Sequence, residues 1–145
     1  MVRDGEPKPL VGRRLALGLG LLAAGCGGGS GGGVIPAPGS VALADVQTQV
    51  FGPRCALSGC HIGPFAPFGL DLGSPSASAE NLVGVASEEI PGLFRVEPYD
   101  AASSYLYMKL IDDPGISGDP MPLSGGPLGA ADLALVESWI DQGAM

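Results

Sequence analysis

The chain has 145 residues, among them 25 Gly and 14 Pro, with 6% aromatic residues and a net charge of −8. That length allows one domain plus an extension, and the Gly and Pro content favours loops over long regular elements. So few aromatic rings make a thin core that a cofactor or crosslink would help. The acidic balance excludes nucleic-acid partners, whose phosphates need Lys and Arg.

Arg3, Lys8, Arg13 and Arg14 precede an apolar run over residues 15–24, which ends at Gly25-Cys26. A basic head, a short apolar run and small residues before a cysteine read as an export signal over residues 1–25. The run is too short for a comfortable membrane span. Leu22-Ala23-Ala24-Gly25-Cys26 resembles a bacterial lipobox. The resemblance implies cleavage before Cys26, lipidation of Cys26 and an exported protein anchored to a membrane through its lipid. With Gly27 and not Asp after the cysteine, it implies the outer membrane or the periplasmic face over inner-membrane retention. An ordinary secretory signal or a retained anchor are the alternatives. Residues 27–33 are Gly apart from Ser30, with nothing apolar to bury and maximal backbone entropy, so residues 26–40 read as a flexible tether.

Beyond Cys26 the chain carries 13 acidic and 3 basic side chains, a net of −10. A mainly α-helical domain with long Gly/Pro-rich loops is expected over residues 41–145. Leu43, Val46 and Val50 share one helix face, in a first helix expected to stop at Gly52-Pro53. Next comes Cys55-Ala56-Leu57-Ser58-Gly59-Cys60-His61, then a rigid apolar loop with Phe65 and Phe68. These rings either pack the loop or touch a bound cofactor. Residues 70–72 and 81–85 are short apolar pieces around a Ser/Ala-rich link, the second a helical turn or a short strand. Residues 93–98 alternate and read as extended, stopped by Pro98. Asp100 caps an expected helix over 101–111, which Asp112-Asp113-Pro114-Gly115 ends. A Pro/Gly-rich loop with Pro120-Met121-Pro122 leads to a last helix over 130–142, with Leu133, Val136 and Ile140 on one face and Gly143 as terminator.

Cys55 and Cys60 are the only cysteines after Cys26, and His61 is the only histidine. A histidine directly after the second of two close cysteines is the arrangement that attaches haem c: two thiols bond the haem, and the imidazole ligates the iron. Here four residues separate the cysteines in place of the usual two. The competing reading is a Cys55–Cys60 disulfide, because export supplies the oxidant and the spacing permits closure. Met121 stands between two prolines, a stiff mount for a thioether, whereas Met108 has the spacing of core packing. Blue copper needs a second histidine, and zinc lacks a fourth ligand at suitable spacing.

The order of parts resembles a class I-like cytochrome c. The matching pieces are a first helix running into Cys55…Cys60-His61, a middle helix, the Asp119-Pro120-Met121-Pro122 loop, and a closing helix with Trp139-Ile140. The resemblance implies a covalent haem c on Cys55 and Cys60, with His61 as proximal and Met121 as distal iron ligand. It implies an electron carrier with no enzymatic activity and an unspecified redox partner. Arg54 is the natural partner for a haem propionate, a solvated side chain being the alternative for Arg54, Arg95 and Lys109 alike. The alternative function is a haem-free, disulfide-stapled binding or structural module of a surface lipoprotein. A haem sensor or peroxidase with one open iron position is a third.

Overall fold

In the computed structural model, which describes residues 39–145, the first helix starts where its apolar face begins. Helix α1 (Leu43–Val46) opens with the Ala42 N–H donating to the Asp45 carboxylate at 3.1 Å. A carboxylate in the first turn also suits the positive end of the helix dipole. The expected stop at Gly52-Pro53 does not occur. The chain passes directly into a π-helical stretch, Gln47–Cys55, with Pro53 inside it. Proline has no N–H and its ring clashes with the carbonyl four residues back in an α-helix. The wider π winding, with bonds such as Ala56 N–H to the Phe51 carbonyl at 2.7 Å, lets the helix continue past it. Cys55 is thereby the last helical residue.

The Ser/Ala-rich link is not a link but helix α2 (Pro75–Leu82). Ser74 accepts from the Ala77 N–H at 3.2 Å and Pro75 fills the first helical position, two strong start signals. Its buried residues are Ser78 and Leu82, with Ala79 packed half-buried beside them. The Ser78 hydroxyl donates to the Gln47 side-chain carbonyl at 2.8 Å, and the Gln47 amide donates to the Leu72 carbonyl at 2.7 Å. A 3-10 turn, Pro67–Gly69, precedes α2.

Residues 93–98 are extended but form no strand. Isolated bridges hold them: Val83 to Val96, Ala86 to Phe94 and Phe94 to Ser104. Helix α3 (Tyr105–Leu110) is shorter than the expected 101–111. Asp100 accepts from the Ser103 N–H at 3.0 Å and so holds a turn, leaving Ser104 at the helix start. Helix α4 (Ala130–Asp141) ends as expected at Gly143, whose φ of +104° favours glycine.

The core sits between the two ends of the domain. Val46, Val50 and Phe51 are fully buried against Val136, Trp139 and Ile140 of α4. The Phe51 and Trp139 rings meet edge to face at 6.2 Å and 86°. Among the described residues there are four α-helices and no strand, which makes this a small α domain.

Candidate functional site

The π-helical stretch leaves the Cys55 side chain buried, and the chain then turns back over it. Leu57-Ser58-Gly59-Cys60 forms a tight turn, closed by the Cys60 N–H to the Leu57 carbonyl at 2.9 Å, with Gly59 at φ +80°. A positive φ at the third turn position suits glycine. The His61 N–H then donates to the Cys55 carbonyl at 3.1 Å. The wide cysteine spacing is therefore absorbed by a closed turn that returns Cys60 and His61 to the neighbourhood of Cys55.

His61 is held from its other side. Its Nδ1 lies 3.2 Å from the Leu70 carbonyl, so Nδ1 carries the proton and donates, and Nε2 is the free basic nitrogen. The His61 carbonyl accepts from the Leu72 N–H at 2.9 Å. Burial holds the imidazole below its ordinary range; the Leu70 bond opposes this and the Arg95 charge adds to it. Neutral imidazole is the form that ligates metals. Burial also pushes the Cys55 thiol up to about 11, against the lowering pull of Arg54, with Cys60 pushing further upward. Such a thiol stays protonated near neutral pH and is a poor free nucleophile.

On the other arm, the Met121 N–H donates to the Lys109 carbonyl at 2.8 Å, which fixes the Met-Pro loop to α3. One cavity of about 310 Å³, within the usual range for small-molecule and cofactor sites, collects these groups. Cys55, Cys60, His61, Met121 and Arg54 all line it, on a wall that also includes Leu70, Leu82 and Leu106. Met108 does not line it. Phe68 does, but Phe65 is 96% exposed, so it neither packs its loop nor meets the cavity. Ala66 is the residue that the loop turns inward. Cys26, the expected export signal and the expected tether as far as residue 38 lie outside the described residues.

The sequence leaves one part of the site hidden. All three basic side chains of residues 39–145 line this cavity. Arg95 and Lys109 are only 8% and 6% exposed, so they are not solvated side chains. Backbone carbonyls replace their water. Arg95 donates to the Phe68 carbonyl at 2.6 Å and the Asn81 carbonyl at 3.0 Å. Lys109 donates to the Ser117 carbonyl at 2.5 Å and the Asp119 carbonyl at 3.0 Å. Glu88 and Glu89 stand 3.4 Å from Arg95 and Lys109 respectively. Arg54 is half-buried and donates through Nη2 to the Gly125 and Gly126 carbonyls at 3.2 and 2.7 Å. A guanidinium has five N–H donors, so these two carbonyls leave others spare.

Compared with known proteins, the chain matches no family model, no curated protein and no solved structure. Among the described residues, no three His, Cys, Asp or Glu side chains are grouped to hold a bare metal ion. Among the same residues, no helix is long and apolar enough to cross a membrane.

Proposed function

We propose that the chain is an electron carrier with one haem c in this cavity. Cys55 and Cys60 would hold it covalently, His61 Nε2 would be the proximal iron ligand and the Met121 sulfur the distal one. One observation carries the reading: two motifs far apart in the sequence bring two thiols, an imidazole and a thioether to a single mainly apolar cavity. The residues fit the group, because the His61 Nδ1 bond to Leu70 leaves Nε2 free for a metal.

When bound, haem c supplies a one-electron iron couple, and a His/Met pair favours a high potential. The chain's own contributions are distinct. The Leu70 carbonyl fixes the tautomer and plane of His61. The leucines exclude water, which lowers the local dielectric and so shapes the potential. Arg54 keeps donors for a carboxylate. With His61 and Met121 both holding the iron, no position on it would be left for substrate, which would suit a carrier and not an enzyme. With its three cations gathered at the cavity, the rest of the described surface is anionic and suits a basic redox partner. Export and lipidation of Cys26 would anchor this carrier at the periplasmic or outer-membrane face.

The test is a haem-stained denaturing gel with a pyridine haemochrome spectrum, on full-length protein from a host with an active cytochrome c maturation system. Covalent haem at the protein's mass is the expected result. A colourless protein with no free thiols, matured beside a positive control, would overturn it and leave Cys55–Cys60 as a staple of a haem-free module.

A further inference from the structure

Burying a cation is costly unless it is paired and hydrogen-bonded. The domain has three basic side chains and buries two of them in one cavity wall. Each of the two reaches a different loop. Arg95 binds the Phe68 carbonyl at 2.6 Å, inside the turn that ends at Leu70, whose carbonyl orients His61. Phe68 has a φ of +56°, a left-handed conformation that a bulky residue keeps only when its surroundings impose it. Arg95 also binds the Asn81 carbonyl at the end of α2, so it pins this turn to a helix.

Lys109 serves the opposite loop with both its ends. Its ammonium group donates to the Ser117 and Asp119 carbonyls, and its backbone carbonyl accepts from the Met121 N–H. Prolines 120 and 122 have no N–H, so the Met121 amide is the sole backbone donor of that tripeptide. Two successive glutamates answer the two cations: Glu88 faces Arg95 and Glu89 faces Lys109, each at 3.4 Å. The Ser87 hydroxyl accepts from the Glu89 and Ile90 N–H groups and holds their turn.

We propose that Arg95 and Lys109 are positioning residues, one for each iron ligand: Arg95 sets the turn that orients His61, and Lys109 sets the loop that presents Met121. The assignment of ligands rests on the haem reading above; the division of labour between the two cations does not. Neither cation would itself ligate iron. Each acts through backbone carbonyls that a side chain without N–H donors cannot hold.

The test is hydrogen exchange followed by mass spectrometry on the full chain from the maturation-competent host, comparing Lys109→Met and Arg95→Met with the parent. A charge-assisted bond is strong enough that its loss raises local exchange about tenfold. Lys109→Met is expected to raise exchange over residues 117–121, and peroxide oxidation of Met121, by about that factor while residues 61–72 stay within about twofold. Arg95→Met is expected to give the converse. Equal loosening of both segments by either variant, or no change in either, overturns the proposal. Should a methionine variant fail to fold, Lys109→Gln and Arg95→Lys keep part of the donor set and are expected to show the same segment preference at smaller size. The haemochrome spectrum of the same samples reports covalent haem separately, and the native ferric absorption spectrum reports the thioether–iron bond. Where haem is attached, Lys109→Met is expected to keep the covalent haem and lose the thioether–iron signature, and Arg95→Met to keep that signature.

Discussion

The two sides of this small domain are built by different rules. Where α4 crosses the first helix, burial is wholly apolar: Val46, Val50, Phe51, Val136, Trp139 and Ile140 have no exposed surface. On the cavity side the wall is made largely of loops, and charged side chains hold it by binding carbonyls of Phe68, Asn81, Ser117 and Asp119. Apolar packing is strong and non-directional, so it fixes the frame. Hydrogen bonds to carbonyls contribute less to net stability but set direction, which the proposed ligand-presenting role of this wall would require.

The largest expected effect is on the frame. Trp139→Ala removes the ring that meets Phe51 and the indole N–H bond to the Met145 carbonyl, and is expected to cost about 3–5 kcal/mol. Met121→Ala removes a half-buried side chain at the cavity and is expected to cost about 1 kcal/mol. Urea unfolding measures both. A Met121 variant as damaging as the Trp139 one would erase the distinction between frame and wall.

Next in size is the joint between frame and C-terminus. A Cβ on Gly143 would lie 2.7 Å from the Tyr99 ring, at a φ of +104°. Gly143→Ala is therefore expected to destabilise by about 1–3 kcal/mol, with the cavity side chains unmoved. Unfolding midpoints compared with cysteine reactivity at the cavity test this. A small stability change would mean that Tyr99 yields easily.

The same division explains what could be read from the sequence. The first and last helices were legible because Leu43, Val46 and Val50, and Val136 and Ile140, repeat at helical spacing, and tertiary packing uses that same stripe. Helix α2 was not, because one of its two buried residues is Ser78, whose hydroxyl is satisfied by Gln47, 31 residues earlier. The π-helical continuation past Pro53 escaped for a related reason: the wider winding has no residue pattern of its own. At the site, the Cys55, Cys60 and His61 motif and the Pro-flanked Met121 were legible because their chemistry is local, and the fold brings them to one cavity. Arg95 and Lys109 were not, since a charged residue reads as solvated until the chain supplies carbonyls from distant loops.

Burial of Cys55 gives a sharper view of the wall. With its thiol pushed up to about 11, alkylation of Cys55 in haem-free chain is expected to be slow at neutral pH. It should rise about tenfold per pH unit until that value is approached. Mass spectrometry of the labelled peptide gives the profile. A plateau near pH 8 would mean that the cysteine turn opens in solution, so that the wall lacks the definition of the frame.

The smallest effect concerns His61 itself. Its folded pKa lies below the ordinary value of 6.5 because burial penalises the charged ring. The unfolded chain therefore binds a proton more readily than the folded one. Stability from this group is fully present above pH 6.5 and is lost as pH falls through the folded value. In haem-free chain, His61→Gln is expected to flatten the part of the stability profile just below 6.5 and leave the lower carboxylate region unchanged. Urea midpoints across that window measure it. An unchanged slope would mean that water reaches the ring freely or that the Leu70 bond offsets its burial, and either would remove the expected link between the cavity wall and the imidazole. A flattened slope would tie the protonation of the imidazole to the same closed wall that holds Cys55, chiefly through burial, with the Arg95 charge acting in the same direction and the Leu70 bond against it.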